Sequence, residues 1–177
     1  SGKFDQYQRD VPFYAWKMAF EEFCNLLLKE DEASLARWRD RITGALGTIG
    51  KVVAEVVPSI ELIVGPQPEV PPLAGEQALN RLNYAFANFL KALCVKDFPL
   101  VVFIDDWQWA DAGSLSLLKS VIADKDIRHL LLIGAYRDNE IHTAHPLSLA
   151  LDDIGKAEGR MTTIELPPLA GADVRDL

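Results

Sequence analysis

The stretch VVFIDDWQWAD, Val101 to Asp111, decides the fold. Four apolar residues, Val101 to Ile104, run straight into two adjacent acids, two tryptophans follow, and a third acid closes the segment at Asp111. Leu100 to Asp105 is almost continuously apolar, the pattern of a strand covered on both faces in a parallel sheet. Acids at the mouth of such a strand are costly unless a cation or hydrogen-bond donors meet them. In open parallel sheets, ligands bind beyond the carboxyl ends of the strands, so Asp105 and Asp106 stand where chemistry is expected.

Outward from this strand, Ala112 to Ile122 reads as a helix with Leu115, Leu118 and Ile122 inward and Ser114 near its start. HLLLIGA, His129 to Ala135, is a second covered strand ending in Tyr136, Arg137 and Asp138. Two parallel strands joined by one helix make a right-handed βαβ unit. MTTIEL, Met161 to Leu166, is a third and weaker strand candidate. Upstream, Ser1 to Gln8 alternates loosely and is expected to hold a short strand. From Pro12 to Leu28 the period changes to that of an amphipathic helix, carried by Phe13, Trp16, Phe20, Phe23, Cys24 and Leu27. Further helices are expected over Glu32 to Leu46, Val52 to Ile63 and Gly75 to Cys94. Between the last two, Gly65 to Pro72 carries four of the ten prolines and reads as a loop or linker.

The chain has 177 residues, 49% hydrophobic and 25% charged, enough for one proper core. Its net charge of -8, from 26 acidic against 18 basic residues, would repel a phosphate backbone and argues against nucleic-acid binding. No apolar run approaches the roughly 18 residues of a membrane span, and no leader is visible, so no membrane partner and a cytoplasmic setting are expected. Cys24 and Cys94 sit in apolar helical patterns and read as free buried thiols of a reducing compartment. His142 and His145 lack a cysteine cluster that would suggest structural zinc.

Adjacent strand residues point to opposite faces, so Asp105 and Asp106 can serve one ligand together only if the strand is already ending. In one reading, one acid addresses Mg²⁺ through water while the other orients a nucleophilic water, and Arg137 on the next strand meets a terminal phosphate. In the other, the two acids cap the helix after Asp111 and bind backbone amides of a tight turn, with Arg137 neutralising them. Nucleotide chemistry also needs a phosphate cradle, normally GxxxxGK followed by Ser or Thr. GALGTIGKV, Gly44 to Val52, has Ala45 at the first glycine's place and Val52 at the hydroxyl's. Gly2 and Lys3 precede Phe4 with no room for a loop ahead of them. Neither is a phosphate loop.

VVFIDDWQWAD with LLLIGAYRDNE (Leu130 to Glu140), GKFDQYQRDVPFYA (Gly2 to Ala15), GPQPEVPPL (Gly65 to Leu73) and EQALNRLNYAFANFL (Glu76 to Leu90) resembles one family of P-loop ATPases. These are the AAA-like modules of the signal-transduction ATPase class, set in large bacterial proteins between a serine/threonine kinase-like domain and sensor and histidine kinase domains. The resemblance implies a Walker B strand at Phe103 to Asp106. Asp105 would then be the magnesium-coordinating acid, acting through water in the whole protein, and Asp106 the residue that polarises water. Arg137 matches the sensor position for the terminal phosphate. Trp107 stands where the family usually has an aliphatic residue, and Trp109 reads as a packing anchor.

The resemblance further implies a three-layer P-loop NTPase-like fragment with a mostly parallel sheet. Residues 1–177 would form a partial ATPase domain, with a helical insertion over 32–63 and a Pro-rich loop over 65–72. The phosphate loop and its strand would lie upstream of Ser1, so strands two, three and four of the order 5-1-4-3-2 should remain neighbours. An uncovered strand edge would then invite self-association. ATP and Mg²⁺ would be cofactors of the whole protein and absent from these residues, which alone are not expected to hydrolyse ATP. Two functional readings remain open: a nucleotide-dependent signalling switch working with adjacent kinase and sensor domains, and a non-catalytic scaffold whose nucleotide site is vestigial.

Overall fold

In the computed structural model, which describes residues 1–8, 11–156 and 161–167, the central strand β2 spans Leu100–Asp105. It pairs in parallel with β1, Gly2–Lys3, on one side and with β3, Leu130–Gly134, on the other, giving the order β1-β2-β3. Strands two, three and four of the expected sheet are thus neighbours, and the fold class holds: an open parallel α/β sheet flanked by helices, consistent with a P-loop NTPase-like fold.

Helix α1, Tyr14–Leu27, follows β1 and buries Ala15, Trp16, Phe20 and Cys24. Next comes α2, Glu32–Leu46, started by Asp31, whose side chain accepts a bond from the Ser34 amide. The expected helix over Val52 to Ile63 is two short ones, α3 (Gly50–Val56) and α4 (Ile60–Val64). The break falls at Pro58, which has no amide hydrogen and drives Val57 out of helical geometry to φ -123 and ψ 77. After an irregular proline-rich stretch, α5 (Gly75–Leu93) carries the deepest apolar stripe, including Phe86, Phe89 and Leu90. Helix α6 (Ala112–Ala123) connects β2 to β3, and α7 (Pro146–Lys156) packs on α6.

One core joins these elements. Trp16, Phe20, Phe86 and Phe89 pack mainly edge-to-face, with centroids 5.4 to 6.3 Å apart, in the range where aromatic pairs attract. Ile42, Val53 and Ile60 from α2, α3 and α4 belong to the same cluster as Val102 and Ile104 of β2.

Two further expectations fail. The strands are covered on one face rather than both: Val102 and Ile104 are buried, but Val101, Phe103, Leu131 and Ile133 are 40 to 59% exposed. An unbroken apolar run cannot distinguish two covered faces from one covered face whose other side is also apolar. The strand expected at Met161 to Leu166 is irregular, with Ile164 and Leu166 largely exposed. Met161 would point to the opposite side of a strand from Ile164 and Leu166, so neither face offers enough apolar burial to offset ordering the backbone.

The one-sided sheet predicts unequal costs for neighbouring substitutions. Ile104→Ala should destabilise the chain by about 2–5 kcal/mol, whereas Phe103→Ala should cost less than about 1 kcal/mol. Urea denaturation of both variants checks this, and equal losses would show that the second face is also packed.

Candidate functional site

Strand β2 stops at Asp105 because Asp106 takes the left-handed conformation, φ 56 and ψ 42. Aspartate enters this region more readily than most residues because its short polar side chain can bond locally. A single 3₁₀ turn, Trp107–Trp109, follows. The Trp107 amide donates to Ala135 O at 3.1 Å, and the Ala135 amide donates to Ile104 O at 3.0 Å, tying the turn to the end of β3. The Trp107 ring is buried edge-on against Phe4 and Trp16, at 5.0 and 5.9 Å. Its place depends on Gly134, where a Cβ would lie 2.9 Å from the indole nitrogen.

The left-handed turn removes the obstacle posed by strand alternation, because the two adjacent acids now face the same cation. Lys3 Nζ lies 3.5 Å from Asp105 Oδ2 and 2.9 Å from Asp106 Oδ2. Asp106 is 3% exposed, the most enclosed charge of the group. Its Oδ1 accepts a 2.9 Å bond from Gln108 Nε2 and sits 3.7 Å from Arg137 Nε. Gln108 also accepts from the Arg137 amide through its Oε1 at 3.3 Å, so one side chain bridges the ends of β2 and β3. Asp106 Oδ2 is held by the Lys3 ammonium as an ion pair and by no other donor among the described residues. Arg137 is held from its outer side by Glu140 at 3.0 Å, and its guanidinium stands 5.6 Å from the Trp109 ring centre.

Burial works to raise the Asp106 pKa, but the contacts with Lys3 and Gln108 and the charges of Lys3 and Arg137 outweigh it and hold the carboxyl below its usual value. Asp106 and Asp105 push the Lys3 ammonium the other way, above its usual value.

Sequence reading placed Asp105, Asp106 and Arg137 at this site, and the fold brings all three to the carboxyl end of the sheet. The amide-binding alternative is met in part, since Asp105 Oδ1 accepts from the Asp106 amide at 2.8 Å. The helix cap is instead Asp111, which accepts from the Ser114 amide at 2.9 Å and from the Phe13 amide at 3.1 Å, joining the starts of α6 and α1. Lys3 and Gln108 were missed as partners of the acids. The register Lys3↔Asp105 puts the lysine beside the acids, a neighbourhood that becomes readable once β1 is recognised as the strand next to β2. The sequence Gly44 to Val52 forms helix ends rather than a phosphate cradle, and Lys51 is engaged by Glu61 and Glu69 at 3.5 and 3.4 Å.

Among the described residues, no group of three or more His, Cys, Asp or Glu side chains converges. Two carboxylates that share one exchangeable ammonium still suit a hard divalent ion of the Mg²⁺ kind, which commonly takes one or two carboxylates and fills its remaining positions with water or phosphate. No helix among the described residues is long and apolar enough to cross a membrane.

A family model described as an AAA ATPase domain matches residues 1–133 of the 177. The chain belongs to the AAA ATPase domain family. Asp105 and Asp106 lie inside the matched segment, and Arg137 just beyond its end. The AAA ATPase domain is also similar to the Hybrid signal transduction histidine kinase G of Dictyostelium discoideum, 38% identical over 118 residues. That alignment covers 67% of this chain and 3% of the relative, so the chain spans a small part of the length of the protein it matches. The relative's source extends the resemblance beyond the bacterial setting that the motifs suggested. No solved structure gives a significant match.

The lowered Asp106 pKa fixes the sign of one prediction. A carboxylate depressed in the folded state adds stability above its unfolded value, near 3.8, and that stability is lost as pH falls through the folded value. Lys3→Met should therefore destabilise the domain at neutral pH, and the gap from wild type should close below the normal Asp range. Denaturant unfolding over a pH series reads this directly; a gap independent of acid pH would contradict the ion pair.

Proposed function

We propose that this AAA ATPase domain contributes one side of an ATP- and Mg²⁺-dependent switch in a multi-domain signalling kinase. The single observation that carries the reading is the left-handed turn at Asp106, which sets two carboxylates together at the sheet's carboxyl end beside Arg137 of the next strand. Family membership and the similarity to a hybrid histidine kinase supply the setting.

In this reading Asp105 holds Mg²⁺ through water, and its 37% exposed side chain has room for that shell. Bound Mg²⁺ neutralises charge on phosphate oxygens. Asp106, kept ionised by its neighbours and oriented by Gln108, accepts a proton from the attacking water. Arg137 can exchange its contacts with Asp106 and Glu140 for a terminal phosphate, and its amide link to Gln108 passes that exchange to the acid turn. Phosphate loss would then restore the internal ion pairs, giving two arrangements whose populations a nucleotide biases. These 177 residues contain no phosphate cradle of the GxxxxGK kind, and turnover by them alone is not expected. Adjacent kinase and sensor domains of the whole protein would receive the signal.

The exposed apolar face of β2 and β3 favours a second reading, in which the domain acts as a scaffold, including toward another copy, through that face or through the outer edge of β3, which pairs with no strand among the described residues. Calorimetric titration of the whole protein with ATP and Mg²⁺ separates the two. Asp105→Ala should weaken Mg²⁺-dependent binding by about 10–100-fold, while Asp106→Ala should retain binding and lose turnover. Wild-type affinity and turnover in both variants would leave the scaffold.

A further inference from the structure

Lys3 has a position that an ordinary surface lysine lacks. Strand β1 is pressed against α1 so closely that a Cβ at Gly2 would lie 2.1 Å from Ala15 O, leaving no room for any other residue there. Immediately after this fixed point, the register Lys3↔Asp105 brings the lysine alongside the last residue of β2. The Phe4 amide donates to Asp105 O at 3.1 Å, and the Phe4 ring packs on Trp107, so Lys3 is clamped from both neighbours. Its backbone is thus held in place, while its side chain is 57% exposed and held at the tip by the two carboxylates alone.

The contact it makes is an ion pair with both acids. Lys3 Nζ lies 3.5 Å from Asp105 Oδ2 and 2.9 Å from Asp106 Oδ2, and the latter oxygen, on a residue 3% exposed, has Lys3 as its one polar partner among the described residues. Asp106 Oδ1 is engaged separately by Gln108 and Arg137. The Asp106 carboxylate would therefore keep its orientation if Lys3 left, and the oxygen released would be the one that shares Lys3 with Asp105. An ammonium on a four-carbon stem is a compact point charge and exchanges with another cation at little geometric cost.

We propose that Lys3 is a built-in counter-cation of the acid pair, occupying the place of a divalent ion and giving it up when that ion binds. The inference rests on the reading of Asp105 and Asp106 as the ion's holders. Asp105, Asp106 and Glu140 stand against Lys3 and Arg137, one negative charge in excess, so a divalent ion entering with Lys3 in place would carry the site past neutrality. Lys3 therefore lowers the affinity of the pair for a bare ion. It favours an ion that arrives with phosphate, because the anion supplies a new partner for the displaced ammonium. Lys3 is a positioning residue in this scheme, acting on the acids and making no contact with reacting atoms.

Mn²⁺ alone is the probe, its free concentration followed by electron paramagnetic resonance in solutions of the 177-residue chain, of Lys3→Met, of Lys3→Arg and of Asp105→Asn. Lys3→Met should bind Mn²⁺ about tenfold more tightly than wild type, the lower end of what one neighbouring charge does to a carboxylate's proton affinity. Lys3→Arg should stay near wild type, and Asp105→Asn should lose the site. A parallel measurement on wild type avoids dependence on folding of the variants: the Lys3 ammonium resonance should shift on Mg²⁺ titration with the same midpoint as the Asp105 and Asp106 amides. Binding that needs Asp105 but is unchanged or weaker in Lys3→Met overturns the counter-cation and leaves the acid pair standing, as does a Lys3 resonance indifferent to Mg²⁺. Absence of Mn²⁺ binding in every form, Lys3→Met included, overturns the acid-pair reading and this inference with it.

Discussion

The site depends on one backbone event, the left-handed conformation of Asp106 at the end of β2. A strand continuing through this point would send the two carboxylates to opposite faces. The turn instead bends Asp106 back beside Asp105 and starts the 3₁₀ segment that carries Trp107 into the core. Left-handed geometry at a residue with a Cβ costs free energy, of order 1–2 kcal/mol. Here that cost is offset by burial of the Trp107 ring against Phe4 and Trp16, by the notch left at Gly134, and by backbone bonds to Ala135. Packing and the acid turn are therefore coupled, since the Trp107 ring that fills the core is also what seats the turn.

The same turn concentrates negative charge, and the chain answers with cations drawn from both flanking strands. Lys3 comes from the end of β1, and Arg137 from just beyond β3. Because the sheet order is β1-β2-β3, these two cations approach the acids from opposite sides, each through a different oxygen of Asp106. Gln108 joins one side of the arrangement to the other by bonding both Asp106 and the Arg137 backbone. A site built this way is closed by its own side chains, and in the proposed switch it would open by exchange of those partners.

Much of the architecture was legible because strong local patterns agree with the tertiary packing. The stripe at Trp16, Phe20 and Cys24, the run at Leu100 to Ile104, and the aspartates and arginine at the strand ends all sit where spacing placed them. What escaped depended on relations that no window of sequence contains. Lys3 became part of the site through a register between segments about a hundred residues apart. The exposure of Phe103 and Ile133 could not be read because both faces of the strands are apolar. Pro58 was a visible breaker within the Val52 to Ile63 helix, and the periodic spacing of the valines masked it. Asp111 closes the acidic segment in sequence, yet its side chain caps α6 and holds the Phe13 amide, contacts set by the approach of α1 to α6.

Paramagnetic broadening of backbone amide resonances by substoichiometric Mn²⁺ tests most directly whether the Asp106 turn has built an ion site. The account predicts that broadening centres on Lys3, Asp105, Asp106 and Gln108, extends to Arg137, and disappears in Asp105→Asn. Broadening centred elsewhere on this acidic chain, or spread evenly over its exposed carboxylates, would contradict it.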